Sequence, residues 1–144
     1  MEIQTLVGIS DQKRESAFWR QIKTNLPKKW TATRIETWAT RGVPDLLIAD
    51  PTGSLHLIEL KKMSGQKVRL SPHQVSFLTR HRHTSAWILI KAHKGQQKNY
   101  RILLFQACQA RDLFSKKLDQ VPASFVLEKK PFNWSLLFEK IKNG

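Results

Sequence analysis

The 144-residue sequence predicts a mixed α/β fold, in which a central β-sheet is flanked by helices. The spacing of hydrophobic residues changes along the chain in the order helix, three strands, helix, two strands and further helices. Turn sequences rich in Gly, Pro and Asp separate these segments. The length and the 40% hydrophobic fraction suit a single domain over residues 1–144.

The first two segments predict a helix followed by a strand. Asp11 is a good N-cap, and Pro27 stops the helix soon after about Asn25. The apolar stripe of this helix consists of Phe18, Trp19, Ile22 and Leu26. The next segment, Trp30–Ala39, is rich in Thr, Trp and Ile and therefore predicts a strand.

The following two strands form a predicted hairpin. Asp45–Ala49 and Leu55–Lys62 are separated by Asp50–Gly53, a β-turn sequence with Pro second and Gly last. Because side chains alternate between the two faces of a strand, Glu59 and Lys61 share one face.

A well-marked helix start follows the hairpin. Ser71 is the predicted N-cap, Pro72 the first helical residue and Gln74 the third, which completes a capping box. This helix extends to about His83.

Four further segments complete the predicted fold. The strand after the capped helix is expected to be parallel to the third strand, because a helix separates the two. The segments are a buried strand over Ala86–Ile90, a strand over Tyr100–Phe105, a helix plus loop over Gln106–Val121 and an amphipathic helix over about Phe132–Lys142.

The charge indicates a polyanionic partner. Lys and Arg number 25 against 11 Asp and Glu, which gives a net charge of +14. Between residues 51 and 100, nine basic residues stand against one acid, Glu59. A surface this positive favours nucleic acid. An anionic membrane is the weaker alternative, because no strongly basic amphipathic helix accompanies the charge.

The single cysteine, Cys108, excludes an internal disulfide framework and a cysteine-rich zinc site. No apolar run approaches the roughly 18 residues of a membrane span, and no leader pattern is present. These features predict a soluble, cytoplasmic protein without a membrane partner.

The hairpin brings chemically useful side chains together. Centring it on its turn places Asp45 opposite roughly Ile58 to Glu59, so Asp45, Glu59 and Lys61 meet at one end. Carboxylate oxygens and a backbone carbonyl such as that of Leu60 are ligands that Mg²⁺ prefers. Lys61 could hold an attacking water or offset charge on phosphorus.

Two neighbouring features extend this predicted site. Glu15 interrupts the apolar face of the first helix, where a carboxylate suits a metal shell. Lys62, Lys67 and Arg69 form a basic loop directly after the motif, and phosphate contact is expected there.

These motifs resemble the PD-(D/E)XK nuclease superfamily, which has a restriction-endonuclease-like core. The resemblance is carried by Gly42-Val43-Pro44-Asp45, Glu59-Leu60-Lys61 and Leu70-Ser71-Pro72-His73-Gln74. Within the superfamily, the pattern is most similar to the VRR-NUC family, relatives of the Holliday-junction resolvases. The core motif region spans residues 41–78.

The resemblance implies roles for individual residues. Asp45 and Glu59 would bind metal, Lys61 would act on the water, and Gln74 would orient the lysine or a phosphate. Glu15 would be a further metal ligand, and Arg41 would join the DNA contacts at the edge of the motif. Stand-alone members imply a homodimer acting on branched DNA, by analogy.

The sequence therefore predicts a Mg²⁺-dependent DNA endonuclease, with Mn²⁺ able to substitute, selective for branched DNA such as four-way junctions or flaps. Two alternatives stay open. One is a non-catalytic basic module that binds nucleic acid, and the other is a sequence-specific restriction-type nuclease that acts on duplex DNA.

Overall fold

The computed structural model describes residues 17–36 and 40–144, with only the backbone described at Gln97. The predicted N-cap Asp11, the candidate ligand Glu15 and the last residues of the predicted strand Trp30–Ala39 lie outside the described residues.

The described elements form a mixed α/β fold, as predicted. Helix α1 is described over residues 17–24. The remaining elements are β1 (Thr31–Arg34), β2 (Leu46–Ala49), β3 (Leu55–Ser64), α2 (Pro72–Arg80), β4 (Ala86–Lys94), β5 (Gln96–Gln106), α3 (Ala110–Ser115), β6 (Phe125–Leu127) and α4 (Trp134–Asn143). Short 3₁₀ helices at Ala107–Gln109 and Leu118–Gln120 flank α3.

The six described strands form one sheet in the order β1-β2-β3-β4-β5-β6. Strands β3 and β4 are parallel, and the other described pairs are antiparallel. Helix α2 makes the crossover between the two parallel strands, because a tight turn cannot join strands that run the same way. The predicted parallel pair is therefore confirmed.

A hydrogen bond and a glycine in the turn determine the register of the β2–β3 hairpin. The Asp50 carboxylate accepts a hydrogen bond from the Thr52 backbone N–H at 2.8 Å, and Gly53 adopts a φ of +87°. The resulting register pairs Leu46 with Ile58 and Ala49 with Leu55. This is the register that the sequence predicted within one residue.

Hydrophobic cores cover both faces of the sheet. The α1–α4 core face contains Phe18, Ile22, Leu46, Ile48, Ile58, Leu60, Trp87, Leu89, Ile102, Leu104, Leu127, Trp134, Leu137, Phe138 and Ile141. The α2–α3 core face contains Val68, Leu70, Leu78, Ala86, Ile88, Ile90, Ala92, Leu103, Phe105, Ala107, Ala110, Leu113, Leu118 and Val121. Since Ile58 and Leu60 belong to the first face, Glu59 and Lys61 lie on the second.

The largest differences from prediction are in the second half of the chain. Strands β4 and β5 are longer than expected and meet in a hairpin at Gly95, whose φ is +66°. Strand β6 was not predicted, because three residues at the edge of a sheet show too little periodicity. Within the segment Gln106–Val121, predicted as a helix plus loop, the α-helix is the short α3.

A long-range contact explains why α3 ends early. The backbone turns extended at Lys116, and the Leu118 N–H donates to the Gln66 carbonyl at 2.8 Å. This hydrogen bond anchors the segment to the loop that follows β3, so the helix cannot continue.

No helix among residues 17–36 and 40–144 combines the length and the apolar character needed to cross a membrane.

Candidate active site

Asp45 and Glu59 lie side by side at the open end of the β2–β3 hairpin. Continuing the register by one residue from the Leu46–Ile58 pair places Asp45 opposite Glu59. The Asp45 Oδ2 accepts a hydrogen bond from the Leu60 backbone N–H at 2.8 Å. The Asp45 carboxylate at the start of β2 is therefore held against the Glu59-Leu60-Lys61 motif of β3.

Glu59 is a buried carboxylate with polar partners. The residue is 2% exposed, and its Oε2 lies 3.0 Å from the Gln74 Nε2 and 3.5 Å from the Lys61 Nζ. Burying a charge without such partners is costly. The side chains of Glu59, Lys61 and Gln74 therefore meet on one face of the sheet.

Gln74 has two roles in the structure. Its Oε1 accepts from the Ser71 N–H at 2.9 Å, while its backbone N–H donates to the Ser71 Oγ at 3.1 Å, which completes the predicted capping box. The same side chain donates to Glu59 through Nε2. The capping role and the site contact are therefore compatible.

Gly42 positions the loop before Asp45 against helix α2. Its φ is +86°, and a Cβ atom built there would lie 2.2 Å from the His73 carbonyl oxygen and 2.9 Å from the Gln74 N. Only glycine permits this approach of two backbones. The sequence indicated Gly42 only as part of the motif that carries the resemblance, because nothing local shows which helix would pack against it.

A basic pocket of about 270 Å³ lies beside this cluster. It is lined by Lys61, Lys62, Met63, Ser64, Lys67, Val68 and Arg69. The pocket brings together three of the four residues expected to contact DNA. Arg41, the fourth, is exposed on the turn before β2 and does not line the pocket.

The oxygen donors at this site suit a hard divalent cation. The carboxylates of Asp45 and Glu59 and the backbone carbonyl of Leu60 are the kind of ligand that Mg²⁺ takes. Within the described ranges, no group of three or more His, Cys, Asp or Glu side chains could hold a metal ion. Glu15, the expected fourth ligand, lies outside those ranges, and the described part of α1 packs on the α1–α4 core face.

A second polar cluster lies at the other end of the hairpin. The buried His56 bridges Asp50, through Nε2 at 2.8 Å, and the Ser85 hydroxyl, through Nδ1. Hydrogen bonds from the Thr52 hydroxyl, and then from His56, hold the pKa of Asp50 well below its usual value. The Ser85 Oγ also accepts from the Trp87 Nε1 at 2.9 Å, so this cluster fastens the turn to β4.

Comparison with known proteins identifies the class and then the family. The chain is a nuclease of the PD-(D/E)XK type. A family model described as archaeal Holliday junction resolvase (Hjc) matches residues 10–129, so the chain belongs to the Hjc family. The predicted superfamily is confirmed, while the closer assignment to VRR-NUC stays a prediction. Membership makes DNA the partner.

Among solved structures, the chain is similar to Archaeoglobus fulgidus Hjc, described as a Holliday junction resolvase from an archaeal hyperthermophile and determined at 1.6 Å. The TM-score is 0.46 and the identity is 17%, over 67% of this chain and 76% of that chain. A search of curated proteins found no match.

Proposed function

We propose that this protein is a divalent-metal-dependent endonuclease that hydrolyses phosphodiester bonds in branched DNA, and four-way junctions above all. One observation carries the proposal. In a chain of the Hjc family, two carboxylates and an amine meet at the end of one hairpin, beside a basic pocket.

Asp45, Glu59 and the carbonyl of Leu60 would hold the cation, with Glu15 as a further ligand. Mg²⁺ is the proposed ion and Mn²⁺ a substitute, because oxygen donors suit both. When bound, such an ion polarises a phosphate oxygen and lowers the pKa of a water bound to it.

Lys61 is the proposed catalytic amine. Its side chain is 16% exposed, so it is shielded from bulk solvent yet lines the basic pocket. From there the ammonium group would hold the attacking water or stabilise charge that develops on the phosphate. Gln74 would orient Glu59, to which it donates a hydrogen bond at 3.0 Å.

Lys62, Lys67 and Arg69 would contact the DNA backbone next to the cleaved bond, since they line the pocket that contains Lys61. Arg41, which is exposed on the turn before β2, would add a further contact to the DNA. Such contacts supply affinity and position the strand without reading its sequence.

A homodimer would suit a four-way junction. Two symmetric incisions need two sites related by a two-fold axis, and a closed dimer provides them. We therefore propose that two copies of this chain act together on one junction.

The direct test compares a linear duplex, a flap and a four-way junction of identical sequence, each with Mg²⁺ and with EDTA. We expect cleavage of the junction in Mg²⁺ and none in EDTA. Binding that ignores EDTA, with no product from any substrate, would instead indicate a non-catalytic module. Cleavage of the linear duplex at one sequence motif would indicate a restriction-type nuclease.

A further inference from the structure

A second group of basic residues lies on the opposite face of the sheet from Glu59 and Lys61. Lys91 and Lys130 lie over the ring of Tyr100, and Lys62 lies beside Lys91 on the neighbouring strand; we call these four residues the lysine–tyrosine cluster. Lys62 in β3 pairs with Lys91 in β4, one residue beyond the pair formed by Lys61 and Ile90. Because side chains alternate along a strand, this cluster shares the α1–α4 core face.

Contacts with an aromatic ring and with amide groups hold the amines of Lys91 and Lys130 in place. The Nζ atoms of Lys91 and Lys130 each lie 4.3 Å from the centroid of the Tyr100 ring, a distance at which a cation is attracted to the ring face. The two nitrogens are therefore at most twice that distance apart. Because both amines contact the same ring, their positive charges lie close together on the surface.

Gln21 of helix α1 forms hydrogen bonds to both Tyr100 and Lys91. Its Nε2 donates to the Tyr100 hydroxyl at 2.8 Å, and its Oε1 accepts from the Lys91 Nζ at 2.9 Å. The Lys130 Nζ donates to the Lys98 carbonyl at 2.6 Å. The ammonium groups are thus held by neutral partners, which orient them without cancelling their charge.

Repulsion between the lysines remains uncompensated in the described part of the molecule. Among residues 17–36 and 40–144, no ion pair joins Lys62, Lys91 or Lys130 to an acid. Burial, followed by the charges of Lys62 and Lys130, lowers the pKa of Lys91. An anion bound among these amines would relieve the repulsion, and lysine is a good point-charge partner for phosphate.

We propose that the lysine–tyrosine cluster, through the amines of Lys91 and Lys130, binds a backbone phosphate of the DNA at a point separate from the cleaved bond. The inference rests on the proposed function, because it takes DNA as the ligand. Lys61 and Lys62 are neighbours whose side chains emerge on opposite faces of β3, so the cluster and the candidate active site lie on either side of the same strand end. DNA that crosses this end could contact both.

The test measures how salt weakens binding of a fluorescently labelled four-way junction, by anisotropy in EDTA. The variant Lys91→Met/Lys130→Met removes both amines and keeps much of their apolar length. Lys28→Met/Lys142→Met is the matched control, because it removes two charges from exposed positions outside the cluster. Lys91→Arg/Lys130→Arg keeps both charges.

Each phosphate contact contributes about 0.9 to the slope of log affinity against log salt on duplex DNA. We therefore expect the Lys91→Met/Lys130→Met variant to lose about one unit of slope, the contribution of the one phosphate that the cluster would bind. The control variant and the arginine variant should keep a slope close to that of the wild type. Equal slopes for the Lys91→Met/Lys130→Met variant and the control would overturn the inference.

Two further measurements separate this inference from the proposed function. Circular dichroism reports whether each variant folds, and if the double variant does not, Lys130→Met alone should still have a smaller slope than the control. Cleavage in Mg²⁺ tests the active site independently. A wild type that cleaves the junction, together with an unchanged slope in the folded variant, would overturn only the phosphate site. A reduced slope in a protein that cleaves nothing would overturn only the nuclease.

Discussion

The amide of Gln74 contacts two partners with different consequences. Through Oε1 it completes the cap of α2, and through Nε2 it holds the buried carboxylate of Glu59. The capping box was readable from the sequence because it depends on residues three positions apart. The contact with Glu59 was not, because it joins positions that only the folded sheet and helix bring together.

Replacing Gln74 separates these two roles when Ser71→Ala serves as the control. Ser71→Ala removes the cap but keeps the Glu59 contact, so it should cost about 1 kcal/mol of the free energy of unfolding and leave cleavage unchanged. Gln74→Ala should cost a similar amount and also lower the cleavage rate roughly 10- to 100-fold, as loss of a partner that orients a ligand does. Urea unfolding and single-turnover cleavage check these values. Equal cleavage rates for the two variants would contradict the role in orientation.

Asp50 should make stability depend on pH in acid. Its pKa is lowered in the folded state by the Thr52 hydroxyl and His56, so the unfolded chain takes up a proton first as pH falls. The stabilisation is complete above the ordinary Asp pKa of about 3.9 and is lost progressively below it.

Urea unfolding between pH 7 and pH 3 tests this expectation. Asp50→Asn should be less stable than the wild type at pH 7 and should show a weaker decline in acid. Asp112→Asn is the control, because Asp112 forms an exposed pair with Lys116 and should behave like the wild type. Parallel pH profiles for Asp50→Asn and the wild type would refute the role of Asp50.

At the scale of elements, the loop over residues 40–45 and the start of α2 form one packed unit. The backbone of Gly42 touches that of His73, and the two elements present Asp45 and Gln74 to the same site. The elements that were predicted well are those defined by local chemistry, such as the turn at Asp50 and the cap at Ser71. Strand β6 and the short α3 depend on distant partners, and the sequence did not reveal them.

A comparison of Gly42→Ala with Gly53→Ala tests this packing. Both glycines have a positive φ, so either alanine should cost about 1–2 kcal/mol of backbone strain. At Gly53 no atom lies within 4 Å of the new Cβ, whereas at Gly42 the Cβ would overlap the His73 carbonyl. We expect Gly42→Ala to be the less stable variant in thermal unfolding and to lose cleavage activity that Gly53→Ala retains. Similar losses in both would show that the close approach does not matter.

For the whole molecule, the charge of +14 predicted a nucleic-acid partner but not where the basic residues that would contact it lie in the fold. Glu59 and Lys61 lie on the opposite face of the sheet from the lysine–tyrosine cluster, a placement that only the folded sheet defines. The two carboxylates and the lysine of the candidate site were predictable because a single hairpin brings them together. Glu15, expected from its place on the apolar face of a separate helix and from the resemblance, stays a prediction.

The proposed homodimer is also a prediction about the whole molecule. If two sites act on one junction, the protein should sediment as a dimer with twice the chain mass of 16.7 kDa. Analytical ultracentrifugation at the protein concentrations used for cleavage measures this. A monomer that still makes paired incisions in a junction would contradict the dimer.

The most direct test of the account is single-turnover cleavage of a four-way junction by Asp45→Asn and Lys61→Ala, at protein concentrations that saturate binding. Asp45 and Lys61 are proposed to act at the cleaved bond, so both variants should bind the junction and remain folded while cleavage in Mg²⁺ is abolished. Cleavage at the wild-type rate by either variant would contradict the proposed active site.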